Sequence, residues 1–193
     1  MLRSKNLILN PAKEFTIISS EKHDVFTVNK SFAIPIAIII ALFAFIGGAV
    51  SNFSSPVNSF FYIGINAIIL FFLVMTHIYI SGKSIGLLGS NISSEGEAAD
   101  FYSLSTYSQI PFFIIFAVTK LFPSLVFLIF IGLYSGLLFY TGTGTMTKIP
   151  GGKQVQFTIL SIIIMLVSFV IFSELFTILY SEILEQFSTF AAL

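Results

Sequence analysis

The side chains able to do chemistry are few, and several stand in or beside long apolar runs. Nine Lys/Arg, nine Asp/Glu, two histidines and no cysteine are spread over 193 residues. Without cysteine there is no disulfide, thiolate nucleophile, iron–sulfur cluster or cysteine zinc site, and His23 and His77 are too few for a histidine-built metal centre. Asn66, Lys120 and Glu174 lie within or at the end of apolar stretches, where a polar side chain is costly and is a functional candidate by default. Each is near the same end of its run, so the three could form one intramembrane polar cluster in which a carboxylate carries protons or a cation. The plainer alternative is that Lys120 and Glu174 reach to the headgroups, because both lie within about two turns of a run's end. His77, near the opposite end of the run that holds Asn66, reads as an interfacial residue rather than a ligand.

The remaining motifs have structural readings. Gly82-Lys83-Ser84 resembles the end of a phosphate-binding loop, but His77 stands where its first glycine is required and no strand precedes it. Glu95, Glu97 and Asp100 could bind a divalent cation. Ser94-Glu95-Gly96-Glu97 matches a capping box that opens a helix, however, and no EF-hand spacing accompanies it. H-E-x-x-H, G-x-S-x-G and a cysteine–histidine pair are all missing. The expectation is a protein with no catalytic residue, no cofactor and no metal, and not an enzyme.

The elements that must position these residues are set by composition. The chain is 56% hydrophobic and 9% charged, against about 25% charged in a soluble domain, so it cannot wet its own surface. Zero net charge gives no field to draw in nucleic acid. The fold class expected is an all-α polytopic transmembrane bundle. A crossing needs about 20 apolar residues, and five runs qualify, at 32–51, 59–80, 101–120, 123–141 and 155–180. They form a domain of residues 31–193 after a segment of residues 1–30. Residues 102–140 are read as two crossings, because one helix of that length would be about 60 Å long. The turn falls at Lys120 to Pro123, where Pro123 suits the first turn of the next helix.

The third run is the least apolar, opening Tyr102-Ser103-Leu104-Ser105-Thr106-Tyr107-Ser108-Gln109, and should prefer protein neighbours to lipid. Pro111 cannot bond the Tyr107 carbonyl, so a kink is expected over Tyr107, Ser108 and Pro111. Gly132-x-x-x-Gly136, with Ala44-x-x-x-Gly48, lets helices approach closely. Packing inside the bundle is favoured over dimerisation, because each helix has several neighbours to satisfy.

Arg3, Lys5, Lys13, Lys22, Lys30, Lys83, Lys148 and Lys153 fall on one side of such a five-span chain and only Lys120 on the other. The positive-inside rule then makes the N-terminus cytoplasmic and puts the C-terminus, with Glu182 and Glu185, on the opposite face. The first thirty residues have no compact apolar core and do not read as a cleaved signal peptide. Asn10 can cap a short helix that has Pro11 first and Ala12, Phe15 and Ile18 on one face. That amphipathic surface helix is expected to lie flat on the cytoplasmic leaflet.

Several landmarks follow in order: Asn10-Pro11 with Phe15 and Ile18, Tyr107-Ser108-x-x-Pro111, Pro123, Gly132-Leu133-Tyr134-Ser135, and the Gly144 to Lys153 loop. Together they resemble the Yip (Ypt-interacting protein) domain family, particularly its small prokaryotic branch. The resemblance implies five spans, a cytosolic N-terminus and no catalytic constellation. Eukaryotic members of that family are similar to adaptors that bind prenylated Rab-type GTPases and partner proteins in ER-to-Golgi traffic. The expected role is membrane organisation or adaptor work in a bacterial cytoplasmic (inner) membrane. The partners would be the lipid bilayer, membrane or cytoplasmic proteins, or a second copy of the chain, and not nucleic acid. The rival is a small transporter or channel whose path is lined by the kinked half of the third run, Asn66 and Glu174. Five spans do not divide into two equal halves, which weighs against it.

Overall fold

A chain in hydrocarbon must satisfy every backbone N–H and C=O within itself, so long apolar runs fold as helices. The computed structural model describes residues 2–21, 24–51, 58–92 and 97–191. Five of its helices are long and apolar enough to cross a membrane: Val25–Ser51, Phe60–Ile92, Ala98–Leu121, Pro123–Met146 and Gly151–Phe187, numbered spans one to five. Two shorter helices, α1 (Leu2–Leu9) and α2 (Pro11–Glu21), precede them, and no strand occurs among the described residues. The helix of span five continues to Ala191, 41 residues in all. At 1.5 Å per residue that is about 60 Å, so part of it must stand outside the hydrocarbon.

Span three occupies the middle. Its most apolar stretch is 78% buried, against 22–39% for the other four spans, although it is the least apolar of the five. Its serines, threonines and tyrosines are shielded from lipid by the other spans, as the composition of this run predicts. Gly47 of span one makes the closest approach to it: a Cβ there would run into the Lys120 carbonyl and lie 3.0 Å from the Leu121 Cα. Next to it Gly48 faces Ile63 of span two, where a Cβ would be 2.9 Å away. The adjacent glycines thus bring span one against two neighbours at once.

Span two is longer than its apolar run suggests. The helix covers Asn58–Ile92 and passes straight through Ser81-Gly82-Lys83, where an end is expected. A glycine inside a helix costs about 1 kcal/mol relative to alanine. Here the glycines are where the aromatic rings of span three pack: a Cβ on Gly82 would lie 2.6 Å from the Tyr102 ring, and one on Gly89 would collide with Phe101. Tyr102 and Phe101 are fully covered as a result, and the burial of two rings offsets the cost. Gly82-Lys83-Ser84 is therefore helix interior, with no loop to cradle a phosphate.

Span one starts earlier than its apolar run, because Asp24 caps it by accepting from the Thr27 amide at 2.9 Å. One wide turn, Asn29–Ala33, interrupts the α geometry before Ile34–Ser51. There the Tyr102 hydroxyl donates to Asn29 Oδ1 at 2.5 Å. Span three begins at Ala98 with Glu97 as its N-cap residue and no side-chain cap bond. The helix thus starts later than a box capped by Ser94 would place it. Ser94 and Glu95 themselves, residues 52–57 between spans one and two, Lys22 and His23 lie outside the described residues.

Within the stretch expected to kink, the helix breaks at Gln109, between Ala98–Ser108 and Ile110–Leu121. A new helix start leaves amides without partners, and the Phe112 N–H is taken by Ser135 Oγ of span four at 3.2 Å. Span four opens as a tight 3₁₀ helix, Pro123–Leu133, and continues as Tyr134–Met146.

The helix expected at Pro11 is α2, with Phe15 and Ile18 on its covered face. Protein rather than lipid covers that face. Gly142 of span four leaves a hollow into which Phe15 and Leu104 of span three converge, and the Tyr134 hydroxyl donates to the Ile8 carbonyl at 3.0 Å.

Candidate functional site

The long helix of span two places His77 more than about 20 Å from either of its ends, and the side chain is 1% exposed. Its expected place at the interface is thereby corrected: the helix does not stop at Ser81, so His77 is drawn into the core. Its Nε2 lies 2.6 Å from Gln109 Oε1 and its Nδ1 2.6 Å from Ser168 Oγ. The amide of Gln109 is oriented by its other end, since Nε2 donates to the Ser105 carbonyl at 3.1 Å. An acceptor therefore faces the ring, so His77 Nε2 carries the proton and Nδ1 accepts from the Ser168 hydroxyl. Phe113 and Phe169 stand edge-on to the imidazole, with ring centroids at 6.0 and 5.4 Å. The Ser81 hydroxyl donates to the His77 carbonyl at 2.7 Å. One residue thus ties span two to spans three and five.

The break at Gln109 serves this site, because Gln109 ends one helix segment where its side chain can reach both Ser105 and His77. A cavity of about 170 Å³ adjoins it between spans three, four and five, with His77, Gln109 and Ser135 beside the apolar walls Phe112, Ile162 and Phe169. Gly132 and Gly136 leave its room. A Cβ on Gly132 would be 3.1 Å from Phe112, and one on Gly136 would be 3.1 Å from Ile162, so both glycines face helices of their own chain.

The expected cluster of Asn66, Lys120 and Glu174 forms only in part. Asn66 and Lys120 line one cavity of about 160 Å³ with Ser173, Thr177 and Tyr180. Glu174 is exposed and does not line it, and no ion pair joins it to Lys120. The reason is helical phase. Ser173 and Thr177, four residues apart, share the face that meets the cavity, and Glu174 is turned about 100° from Ser173. The Lys120 ammonium rests instead 4.8 Å from the centre of the Phe116 ring, a cation–π contact. Tyr107 and Ser108 are both buried, and Ser108 donates to the Ser105 carbonyl at 3.1 Å. A third hollow, about 420 Å³ between spans one and two, is lined by apolar residues such as Leu42, Phe45 and Ile68 and presents no chemistry. Among the described residues no three potential metal ligands gather.

The His77 triad is the feature the sequence hides, since its partners are 32 and 91 residues away. The signal the sequence carries for it is the polar stretch ending at Gln109, two residues before Pro111.

Compared with known proteins, the family model described as the Yip1 domain matches residues 5–172. No curated protein and no solved structure matches.

Proposed function

The chain belongs to the Yip1 domain family, and from that premise we propose that this integral membrane protein is a scaffold or adaptor, holding partner proteins at the bilayer without chemistry of its own. The observation that carries the reading is the closed core. Span three is enclosed by its neighbours, and the two cavities that reach polar groups share no lining residue, with Leu70, Leu73 and Phe116 walling the one that holds Asn66. The recognition surface on this reading is the basic side of the bundle. There α2 turns Lys13, Thr16, Ile17 and Ser20 outward, and Leu9 and Phe26 nearby are 70% and 71% exposed. The positive-inside rule puts that side in the cytoplasm, and the membrane proposed is a bacterial cytoplasmic one.

A photocrosslinking residue at Thr16 in native membranes should capture one recurring protein and lose it on Ile17→Asp. The same probe at lipid-facing Val170 should not capture it. Crosslinks to lipid alone at Thr16 would contradict the adaptor reading. The cavity of Asn66 and Lys120 favours a second reading, a small transporter. Flux into liposomes that is abolished by Lys120→Ala and Asn66→Ala would support transport and count against the adaptor.

A further inference from the structure

Among the described residues, four buried hydroxyls have no hydrogen-bond partner: Ser103, Ser105, Thr158 and Ser161. Other buried hydroxyls, including Ser81, Thr106 and Thr143, return a bond to the carbonyl one turn back, the usual resolution inside an apolar helix. Three of the four orphans, Ser105, Thr158 and Ser161, fall at neighbouring levels of the bundle. Phe101 of span three meets Phe157 of span five at 5.5 Å, and Phe112 meets Phe169 at 5.0 Å. These two ring pairs bridge spans three and five across the core over about three turns, with spans two and four packed on either side. Ser105 follows Phe101 by one turn and Ser161 follows Phe157 by one turn, so the two serines fall at the same level of the bundle. Thr158, Ser161 and Ser168 recur at helical spacing on span five, and Ser168 reaches His77. Ser103, two residues from Ser105, is on the other side of its helix.

Water is the ligand that repairs buried hydroxyls, each site needing two to four polar partners. We propose that water bound at Ser105, Ser161 and Thr158 forms a string to Ser168 that delivers protons to His77. A proton entering the string passes to the Ser168 oxygen as the Ser168 hydroxyl proton moves to Nδ1. The imidazolium so formed keeps Nε2–H on Gln109 Oε1 and donates its new Nδ1–H to Ser168 Oγ. The net change is one positive charge on the ring. Among the described residues no charged side chain faces it: span three presents Gln109 and Phe113, and span five presents Ser168 and Phe169. Because Gln109 occupies Nε2 and has no proton of its own to relay there, His77 is loaded and unloaded through Ser168 alone. It is a one-sided proton site and not a conducting wire.

The chain has no cysteine, so single thiols report on this space directly. In the full chain in liposomes, Ser105→Cys and Ser161→Cys should react with silver ions about tenfold or more faster than Val170→Cys on the lipid face, since a wetted thiol ionises and a dry one does not. Equal, slow reaction at all three would overturn the proposal. A second measurement follows the gain and loss of the proton at His77 Nδ1, read from nitrogen-15 relaxation of that atom by NMR with selectively labelled histidine. Ser105→Ala combined with Ser161→Ala deletes two oxygens and should slow that exchange several-fold at unchanged helicity. An unaltered exchange rate in the double variant would also overturn it.

Discussion

Replacing His77 by leucine removes the two side-chain contacts that join span two to spans three and five. Interhelical side-chain hydrogen bonds in membrane proteins average about 0.6 kcal/mol and reach about 1.7 kcal/mol. Both bonds of His77 are 2.6 Å long and sit where the residue is 1% exposed. They belong above that average, at about 1 kcal/mol each, which gives a loss of about 2 kcal/mol for the pair. The loss is unevenly shared. Ser168 can turn its hydroxyl back to a carbonyl of its own helix, whereas Gln109 Oε1 is left without a donor. Gln109→Leu removes the same bond from the other side and also takes one donor from the Ser105 carbonyl, which keeps the Ser108 hydroxyl. The double variant should then lose less than the two single losses added, with a coupling of about 1 kcal/mol. The chain has no tryptophan, so the assay is thermal unfolding in detergent, followed by the reactivity of one cysteine placed at fully buried Ala37. A loss of about 2 kcal/mol appears as roughly a thirtyfold fall in the folding constant. Single-variant losses within about 0.5 kcal/mol of zero, or losses that add within about 0.3 kcal/mol, would refute the reasoning.

Gly47→Val drives side-chain atoms into the Lys120 carbonyl and the Leu121 backbone and should cost about 2 kcal/mol or more in the same thiol assay. Gly64→Ala, which meets nothing within 4 Å, should stay within about 0.5 kcal/mol of the parent. Phe15→Ala empties the hollow at Gly142 and should weaken the docking of α2 by about 3 kcal/mol. Amide exchange over 11–21 would then quicken, while the outward Lys13→Ala leaves it unchanged. Tyr102→Phe forfeits the bond to Asn29 at a cost of about 1 kcal/mol, and exchange at Asn29–Ala33 should rise. An unchanged rate there would remove the role given to that bond.

The number of spans and the character of span three were legible because both depend on composition alone. Residues 102–109 are too polar for lipid, and the bundle places them inside. The helix break near Pro111 was legible too, because a missing N–H acts through local geometry whatever the neighbours. The inner end of span two is not legible in the sequence, because glycine and serine signal a stop only when nothing packs on them, and Tyr102 and Phe101 pack on Gly82 and Gly89. The depth of His77 depends on that end, because the helix runs on to Ile92. The separation of Glu174 from Lys120 rests on which face of span five turns inward, and a helix of uniformly apolar residues does not reveal its inward side. The covering of α2 required knowing that Gly142 and Leu104 meet, 38 positions apart in the chain.

The account stands on a chain that crosses the bilayer an odd number of times. Reporters fused singly to each end, one active only in the cytoplasm and one only outside it, test this most directly. The prediction is cytoplasmic activity at the Met1 end and the opposite compartment at the Leu193 end. Both ends reporting one compartment would contradict five crossings and with them the placement of every site described above.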